Sequence, residues 1–275
     1  LEDSIQWDQS IDLQKPLVAL DSNAFFFPGA AAEQRLVVSQ LMGLIICACI
    51  VEMEECLIRL REESFMRFYR KNPVSPEFYD LGQQFFIEEI KHSAAFKRYM
   101  ELFAHKIGID YADLELIIPK IERTKTEKIL KFHLERGGQS FWWIVSIVEQ
   151  HFLHMYKVLS PFKKELDPLY YQLHQLHFEE EARHAPFPYL MLELYEKQAQ
   201  GIFHPLFMKC DLMLAQFLQS AWATSSLRRT QQVKKLKGKH PFFDIIVDAH
   251  DVLKGQNPLQ VLWRLMTQTP YVSAL

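Results

Sequence analysis

The stretch HFEEEARH, residues 177–184, decides the fold of this chain. Glu181 and His184 are three positions apart, and residues at that spacing are neighbours on one face of an α-helix. His177 lies one turn earlier, and at about 100° per residue the three side chains fall within a sector of roughly 60°. Imidazole nitrogens and carboxylate oxygens are common protein ligands of transition metals. The stretch therefore predicts a helix that presents metal ligands along one face.

A second Glu-x-x-His pair lies upstream, at Glu89 and His92. Carboxylate-bridged di-iron bundles use such a pair from each of two helices, together with one glutamate from each of two others. With 22 Glu and 11 His among 275 residues, chance alone supplies roughly one pair at this spacing. The two pairs are therefore weak evidence by themselves, and the interpretation depends on finding the other two glutamates.

Glu54 and Glu149 supply those two carboxylates, because each lies on a predominantly apolar helical face. A charge buried there without a partner would cost several kcal/mol. Something must neutralise both groups. The residues one turn from Glu54 are Ile50, Val51, Leu57 and Ile58, and those one turn from Glu149 are Val145, Ser146, Phe152 and Leu153.

The rest of the chain predicts an all-α fold, since it contains no alternating strand pattern of useful length and only 9 glycines. We interpret it as a ferritin-like di-iron helical bundle with four core helices plus additional peripheral helices. An irregular N-terminal segment, 1–30, precedes a single domain, 31–275, whose metal-binding core spans about 35–190. The predicted helices are 31–70, 76–108, 111–135 with a bend at Pro119, 141–159, 168–200 with a kink after His184, 203–227, 241–254 and 258–267.

Charge counting indicates how many ions such a site would hold. Four carboxylates carry four negative charges, and two divalent cations balance them, which is the condition for burying charge in a low-dielectric core. Oxygen and imidazole ligands suit iron, with manganese as the alternative, and no cysteine thiolate is placed for a structural zinc site. We therefore expect two iron ions, held by these ligands: Glu54, Glu89, His92, Glu149, His177, Glu181 and His184.

The order and spacing of these residues resemble the p-aminobenzoate N-oxygenase family of di-iron arylamine oxygenases. Those proteins use four glutamates and three histidines, and the histidine four positions before the last glutamate, here His177, distinguishes them from most ferritin-like relatives. The resemblance covers about residues 35–190. It implies a di-iron monooxygenase that reacts with O₂, N-oxygenates a small aromatic amine or another apolar substrate and takes electrons from an external donor. It also implies a homodimer and no catalytic residue beyond the metal ligands.

Several alternatives stay open at this point. The enzyme could be a di-iron oxygenase or desaturase of an aliphatic, fatty-acid-like substrate, or the protein could be a ferritin-like ferroxidase that handles iron. His177 could be a core histidine beside the metals rather than a ligand, and His174 is expected to line the site. A helix phase shifted by one residue would exchange the predicted glutamates for their neighbours, which are Glu52, Glu55, Glu88, Glu179 and Glu180.

Charge and hydropathy restrict the partners. A net charge of -3 argues against general nucleic-acid binding. The apolar run at 41–51 is too short for a membrane span, and no signal-peptide pattern or flavin or nicotinamide fingerprint is visible. We expect a cytoplasmic protein that binds neither nucleic acid nor membranes. The basic segment 228–239 carries six Lys or Arg residues, and is either a solvated loop or a docking patch for an acidic electron donor.

Overall fold

The regular structure of the described residues is helical, as predicted. The computed structural model describes residues 1–19, 30–72, 74–120, 123–198 and 204–252, and within these ranges it contains ten α-helices and no strand. The all-α class is therefore confirmed. The predicted helix 258–267 lies outside the described residues.

The first long helix, α1, spans Ala32–Arg59. Its apolar residues cover almost every face, as expected of a helix at the centre of a bundle. Of the described helices, it is the one that by length and composition could cross a membrane, but 72% of its most apolar window is buried inside the protein. A π-helical segment, Glu62–Met66, then joins it to the short helix α2, Arg67–Lys71. The predicted helix 31–70 is therefore interrupted.

Helix α3 spans Pro76–Ile107. The helix begins where the sequence predicts. Ser75 is its N-cap, with Oγ accepting a hydrogen bond of 3.3 Å from the Phe78 N–H, and Pro76 occupies the first turn. Gly108 ends the helix with φ at 82°, a left-handed conformation that glycine adopts without a Cβ clash. Both ends agree with the prediction. The helix packs along α1.

The segment 111–135, which was predicted to be one bent helix, forms two separate helices. Helix α4 spans Tyr111–Ile117 and α5 spans Arg123–Glu135. Proline disfavours helical geometry in the residue before it, so Pro119 stops α4 at Ile117 and Ile118 is extended. The Arg229 guanidinium donates to the carbonyls of Glu115 and Ile118, the latter at 2.9 Å, and satisfies groups that the end of α4 leaves free.

The last two helices that carry predicted ligands follow. Helix α6 spans Ser140–Leu159 and α7 spans Pro168–His184, with the Asp167 carboxylate accepting from the Tyr170 N–H at 2.8 Å as its N-cap. The predicted helix 168–200 is also divided, since α8 begins at Pro186 and runs to Gln198. Proline lacks the N–H that would continue the hydrogen-bond ladder. Helices α9, His204–Thr230, and α10, Pro241–Val252, complete the described chain.

The four core helices, α1, α3, α6 and α7, cross two separate apolar clusters. On α1 one cluster ends at Val51 and the other begins at Cys56; on α3 the clusters meet between Phe86 and Ala95. The same change occurs along α6, and from α7, which carries residues of the first cluster, to α8, which carries residues of the second. In each of these places, the predicted metal ligands lie between the residues of the first cluster and those of the second. A buried polar layer therefore separates two aromatic-rich cores.

The N-terminal residues 1–19 lie across α1 and α7. The Gln40 amide donates to the Leu13 carbonyl at 2.8 Å, and the backbone N–H of Asp12 donates to Asp167 Oδ2 at 2.8 Å. The segment is irregular apart from a single 3₁₀ turn, Glu2–Ser4. Hydrogen bonds from core side chains, rather than regular structure of its own, hold it in place.

Candidate metal centre

The seven predicted ligands converge at the polar layer between the two apolar clusters. Each exposes at most 4% of its surface. Helix α1 contributes one carboxylate, α3 a carboxylate and an imidazole, α6 one carboxylate, and α7 a carboxylate and two imidazoles. These residues span positions 54–184, so local interactions cannot bring them all together. They meet because the four helices pack against one another. The ligands are Glu54, Glu89, His92, Glu149, His177, Glu181 and His184.

One group of potential ligands surrounds the Oε1 atom of Glu181. The Nε2 atom of His177 lies 2.7 Å from it, and the Nδ1 atom of His92 lies 3.1 Å from it. Glu54 Oε1 lies 3.2 Å from the same His177 nitrogen. All four ligand atoms lie within 4.8 Å of one another. Neighbouring ligands of one ion at about 2.1 Å are themselves roughly 3 Å apart in octahedral coordination, so this spacing suits a single cation.

A second group overlaps the first and extends toward His184. The Nδ1 atom of His184 lies 2.9 Å from Glu89 Oε1 and 3.4 Å from Glu181 Oε2. With His92, these residues also form a set whose ligand atoms lie within 4.8 Å of one another. The two oxygens of Glu181 thus face different groups. A carboxylate in this position can bridge two cations.

Glu149 lies beside Glu181 on the α6 side of the acidic cluster, but it belongs to neither of the two ligand groups. It is 3% exposed, and its Oε2 atom has no hydrogen-bond partner. Burial raises the pKa of its carboxyl well above the usual value, and the charge of neighbouring Glu181 raises it further. Burial also raises the pKa of the Glu54 carboxyl well above its usual value, and the charges of Glu89 and Glu181 raise it further. These carboxyls are therefore unfavourable as anions unless a cation neutralises them.

Many polar atoms of the cluster face one another without forming hydrogen bonds. The His184 Nδ1 atom and Glu89 Oε1 are 2.9 Å apart, yet neither has an aligned hydrogen-bond partner. Buried polar atoms normally have such partners. Buried oxygen and nitrogen atoms that lie within 4.8 Å of one another without hydrogen bonds are the pattern that metal ligands form. The unpartnered atoms are Glu54 Oε2, Glu89 Oε1, His92 Nδ1, Glu149 Oε2, both oxygens of Glu181 and His184 Nδ1.

Protons compete with a cation for this cluster. Burial disfavours the cationic form of His184, but the carboxylates of Glu181 and Glu89 raise its pKa to about 11. Burial also disfavours the cationic form of His92, but Glu180 and Glu181 raise the pKa of this imidazole to about 9. A metal ion must displace these protons from the imidazoles. Metal binding therefore releases protons and strengthens as the pH rises.

Two further carboxylates orient the imidazoles from outside. The Nε2–H of His92 donates to Glu180 Oε2 at 2.7 Å, and the Nε2–H of His184 donates to Glu88 Oε2 at 2.5 Å. The pattern is crossed: Glu180 lies on α7 and holds the histidine of α3, while Glu88 lies on α3 and holds the histidine of α7. Each contact leaves the Nδ1 atom of the imidazole free to face the cluster of potential ligands.

Replacing Glu88 by alanine is expected to weaken metal binding without abolishing it. Loss of an outer hydrogen bond to a ligating histidine typically lowers metal affinity about 10- to 100-fold, and we expect a loss in this range for Glu88→Ala. Competition with a chromophoric chelator measures the change, with Glu180→Ala expected to act alike. Glu179→Ala, an exposed change on α7, is the control. Equal affinity of Glu88→Ala and the control would show that Glu88 does not orient His184.

Aromatic side chains form the walls around the cluster. The His177 ring contacts Phe96 and Phe152, with ring centroids 4.9 and 5.3 Å apart, and the His184 ring lies 5.0 Å from Phe85. His174 packs against the same Phe96 and is buried, so burial lowers its pKa well below the usual value. It lies beside the site rather than in either ligand group, as predicted.

The helix phase inferred from the sequence is the observed one. Glu55 pairs with Arg59 at 3.0 Å, and Glu52 lies in a small depression beside Lys97 and Tyr111. The orienting role of Glu88 and Glu180 was not predicted. The signal was present in the sequence, because the glutamate of each Glu-x-x-His pair directly follows another glutamate.

In the basic segment 228–239, Arg229 and Lys239 have structural roles. The Arg229 guanidinium donates to the Ile118 carbonyl, and Lys239 Nζ lies 2.7 Å from Asp113 Oδ1.

Comparison with known proteins does not assign the chain to a family. No protein-family model matches it, and neither does any curated protein. The chemistry of the buried cluster is therefore the basis for inferring a function. The cluster can hold two metal ions, and its donor atoms suit iron or manganese.

Proposed function

We propose that this protein is a non-haem di-iron oxygenase. The observation that carries the proposal is the pair of overlapping groups of buried ligand atoms that share Glu181 and His92, most of which have no hydrogen-bond partner. Four carboxylates balance the charge of two ferrous ions. Proteins that activate O₂ in helical bundles use this combination of glutamates and Glu-x-x-His pairs.

Each part of the cluster has a defined task in this proposal. The four glutamates and three histidines would hold two ions, and the ions would supply the redox chemistry for reducing O₂. Glu88 and Glu180 keep the imidazoles of His184 and His92 in one orientation. Aromatic walls exclude water, which protects reactive species from side reactions. No other side chain is required as a nucleophile.

The substrate in this proposal is a small aromatic amine. Support comes from the resemblance of the ligand spacing to the arylamine N-oxygenases and from the aromatic rings beside His177 and His184. One oxygen atom of O₂ would be transferred to the amine nitrogen, giving a hydroxylamine. The other would leave as water after uptake of two electrons and two protons. An external donor would provide the electrons.

Isotope labelling tests the proposal directly. Protein from iron-supplemented expression is expected to contain about two iron ions per chain. After anaerobic reduction, ¹⁸O₂ is added with 4-aminobenzoate or a fatty acid, and the products are analysed by mass spectrometry. We expect ¹⁸O in the aromatic product only. Less than about one transition metal per chain would overturn the di-iron assignment. Ferric mineral without labelled product would indicate iron storage, and a labelled fatty acid would overturn the substrate.

His177 provides a sharper test of the same site. Replacement by alanine removes the nitrogen that lies 2.7 Å from Glu181 Oε1, so we expect iron to remain bound in part and the reaction of the ferrous protein with O₂ to change in rate and absorption. Glu179→Ala controls for a change on the same helix. Unchanged oxygen reactivity of His177→Ala would show that the histidine only packs beside the metals.

A further inference from the structure

A buried polar face of α7 continues beyond the metal cluster. Asp167, Tyr170, His174 and His177 follow one another at three- or four-residue spacing, and each is at most 2% exposed. From Asp167 to His177 the helix rises about 15 Å. Buried helix faces are normally apolar, so a row of hydrogen-bonding groups over this distance requires an explanation.

Two side-chain atoms on this face have no partner. The Tyr170 hydroxyl and the His174 Nε2 atom are buried without a hydrogen bond, although their rings lie only 4.3 Å apart. Phenylalanine and leucine would avoid the cost of desolvating these groups. Ordered water is the usual partner of polar atoms in this situation. The side chains around Tyr170 and His174 therefore leave two buried polar atoms that still require a partner.

The outer end of the face approaches the surface. Asp167 Oδ1 accepts from the Tyr99 hydroxyl at 3.2 Å, and Oδ2 accepts from the backbone N–H of Asp12 at 2.8 Å. Residues 12–15, which cover this point, are half-buried or exposed. Asp167 itself is buried, but the segment that covers it is in contact with solvent.

The inner end of the face reaches the metal cluster. The Phe96 ring contacts both imidazoles, with centroids 5.1 Å from His174 and 4.9 Å from His177. His174 and His177 are separated by a rise of about 4.5 Å along α7. One helical turn thus separates the unpartnered atoms from a predicted metal ligand.

We propose that Tyr170 and His174 hold ordered water, and that this hydrated face carries protons between Asp167 and the metal centre. The inference rests on the proposed function, because reduction of O₂ consumes protons at a site enclosed by aromatic rings. In each transfer an O–H or N–H bond forms on one side of a group as another breaks on its far side. The tyrosine, imidazole and water end each passage unchanged, and no electrons move.

The melting temperature of the metal-free protein tests the water site independently of iron. Tyr170→Phe is expected to lower it by a few degrees, the shift that loss of one buried hydrogen bond produces. Tyr171→Phe sets the scale, because the Tyr171 and Tyr156 hydroxyls form a hydrogen bond of 2.9 Å. An equal or higher melting temperature for Tyr170→Phe would overturn the water site, since the hydroxyl would then be buried without a partner.

The proton path is tested on ferrous protein mixed with O₂ in H₂O and D₂O. Tyr170→Phe and His174→Leu are expected to slow oxidation at least about 10-fold, since proton delivery contributes on the order of 10²-fold or more, with a larger solvent isotope effect and an unchanged iron content. Tyr171→Phe should oxidise like the wild type. Wild-type rates in both variants would overturn the path. If the wild type itself does not consume O₂, the proposed function and the proton path both fail, and the melting experiment still decides the water site.

Discussion

Replacing Glu181 by alanine is expected to remove both metal ions. Its Oε1 atom lies 2.7 Å from His177 and 3.1 Å from His92, while Oε2 lies 3.4 Å from His184. One substitution therefore takes an oxygen from each ligand group and leaves the charge of the cluster unbalanced. We expect the metal content to fall from about two ions per chain to a small fraction of one. Elemental analysis after gel filtration measures this loss.

The control for this experiment is Glu179→Ala, two positions away on the same helix but exposed. It should retain both ions. Glu181→Gln preserves the side-chain volume and separates loss of the ligand from loss of packing, and circular dichroism verifies that both variants are helical. Two tightly bound ions in Glu181→Ala would exclude a bridging role for this carboxylate.

Replacing Glu149 by glutamine is expected to have opposite effects on the two forms of the protein. In the metal-free form burial, and then the charge of Glu181, raises the pKa of Glu149 well above its usual value. A carboxyl with a raised native pKa stabilises the fold fully only below its unfolded pKa of about 4.3, and this contribution is lost as the pH rises through the native value. Glutamine cannot ionise. The metal-free variant should therefore be about 1–3 kcal/mol more stable than the wild type at pH 8.

With metal bound, the same change should be destabilising. Saturating metal at about 1,000 times its dissociation constant adds roughly 4 kcal/mol to the stability of a protein that binds it only when folded. Glutamine lacks the negative charge that balances the cation, so most of this gain should disappear. Urea unfolding with a chelator and then with Mn²⁺, which is stable in air, measures both values. Glu193→Gln, on an exposed face of α8, is the control. A variant less stable than the wild type in both conditions would contradict the charge-balance argument.

The residues that meet in the buried cluster could be predicted from the sequence because their positions depend on helical periodicity. A charge on an apolar face, as at Glu54, is visible without a structure, and so is the alignment of His177 with Glu181. Helix ends marked by a capping serine and a glycine, as at Ser75 and Gly108, were also predictable. These signals act within one or two turns of chain.

Two helix predictions failed where the effect of a proline had to be judged against packing. Residues 111–135 form two helices rather than a bent one, and the Arg229 guanidinium, more than 100 positions away in sequence, satisfies the carbonyls at the break. Whether a proline bends a helix or ends it depends on what satisfies the freed backbone groups. That partner was not visible in the local sequence.

The sequence by itself determined which helices carry ligands and which of their faces turn inward, because side-chain direction repeats every 3.6 residues. The stretch at residues 177–184 already contained a carboxylate and two imidazoles on one face. Only the tertiary structure decided how these ligands combine. Glu181 presents one oxygen to each group, and Glu88 and Glu180 exchange partners between α3 and α7. These relations depend on distances between helices far apart in the chain, which packing of the two apolar clusters sets.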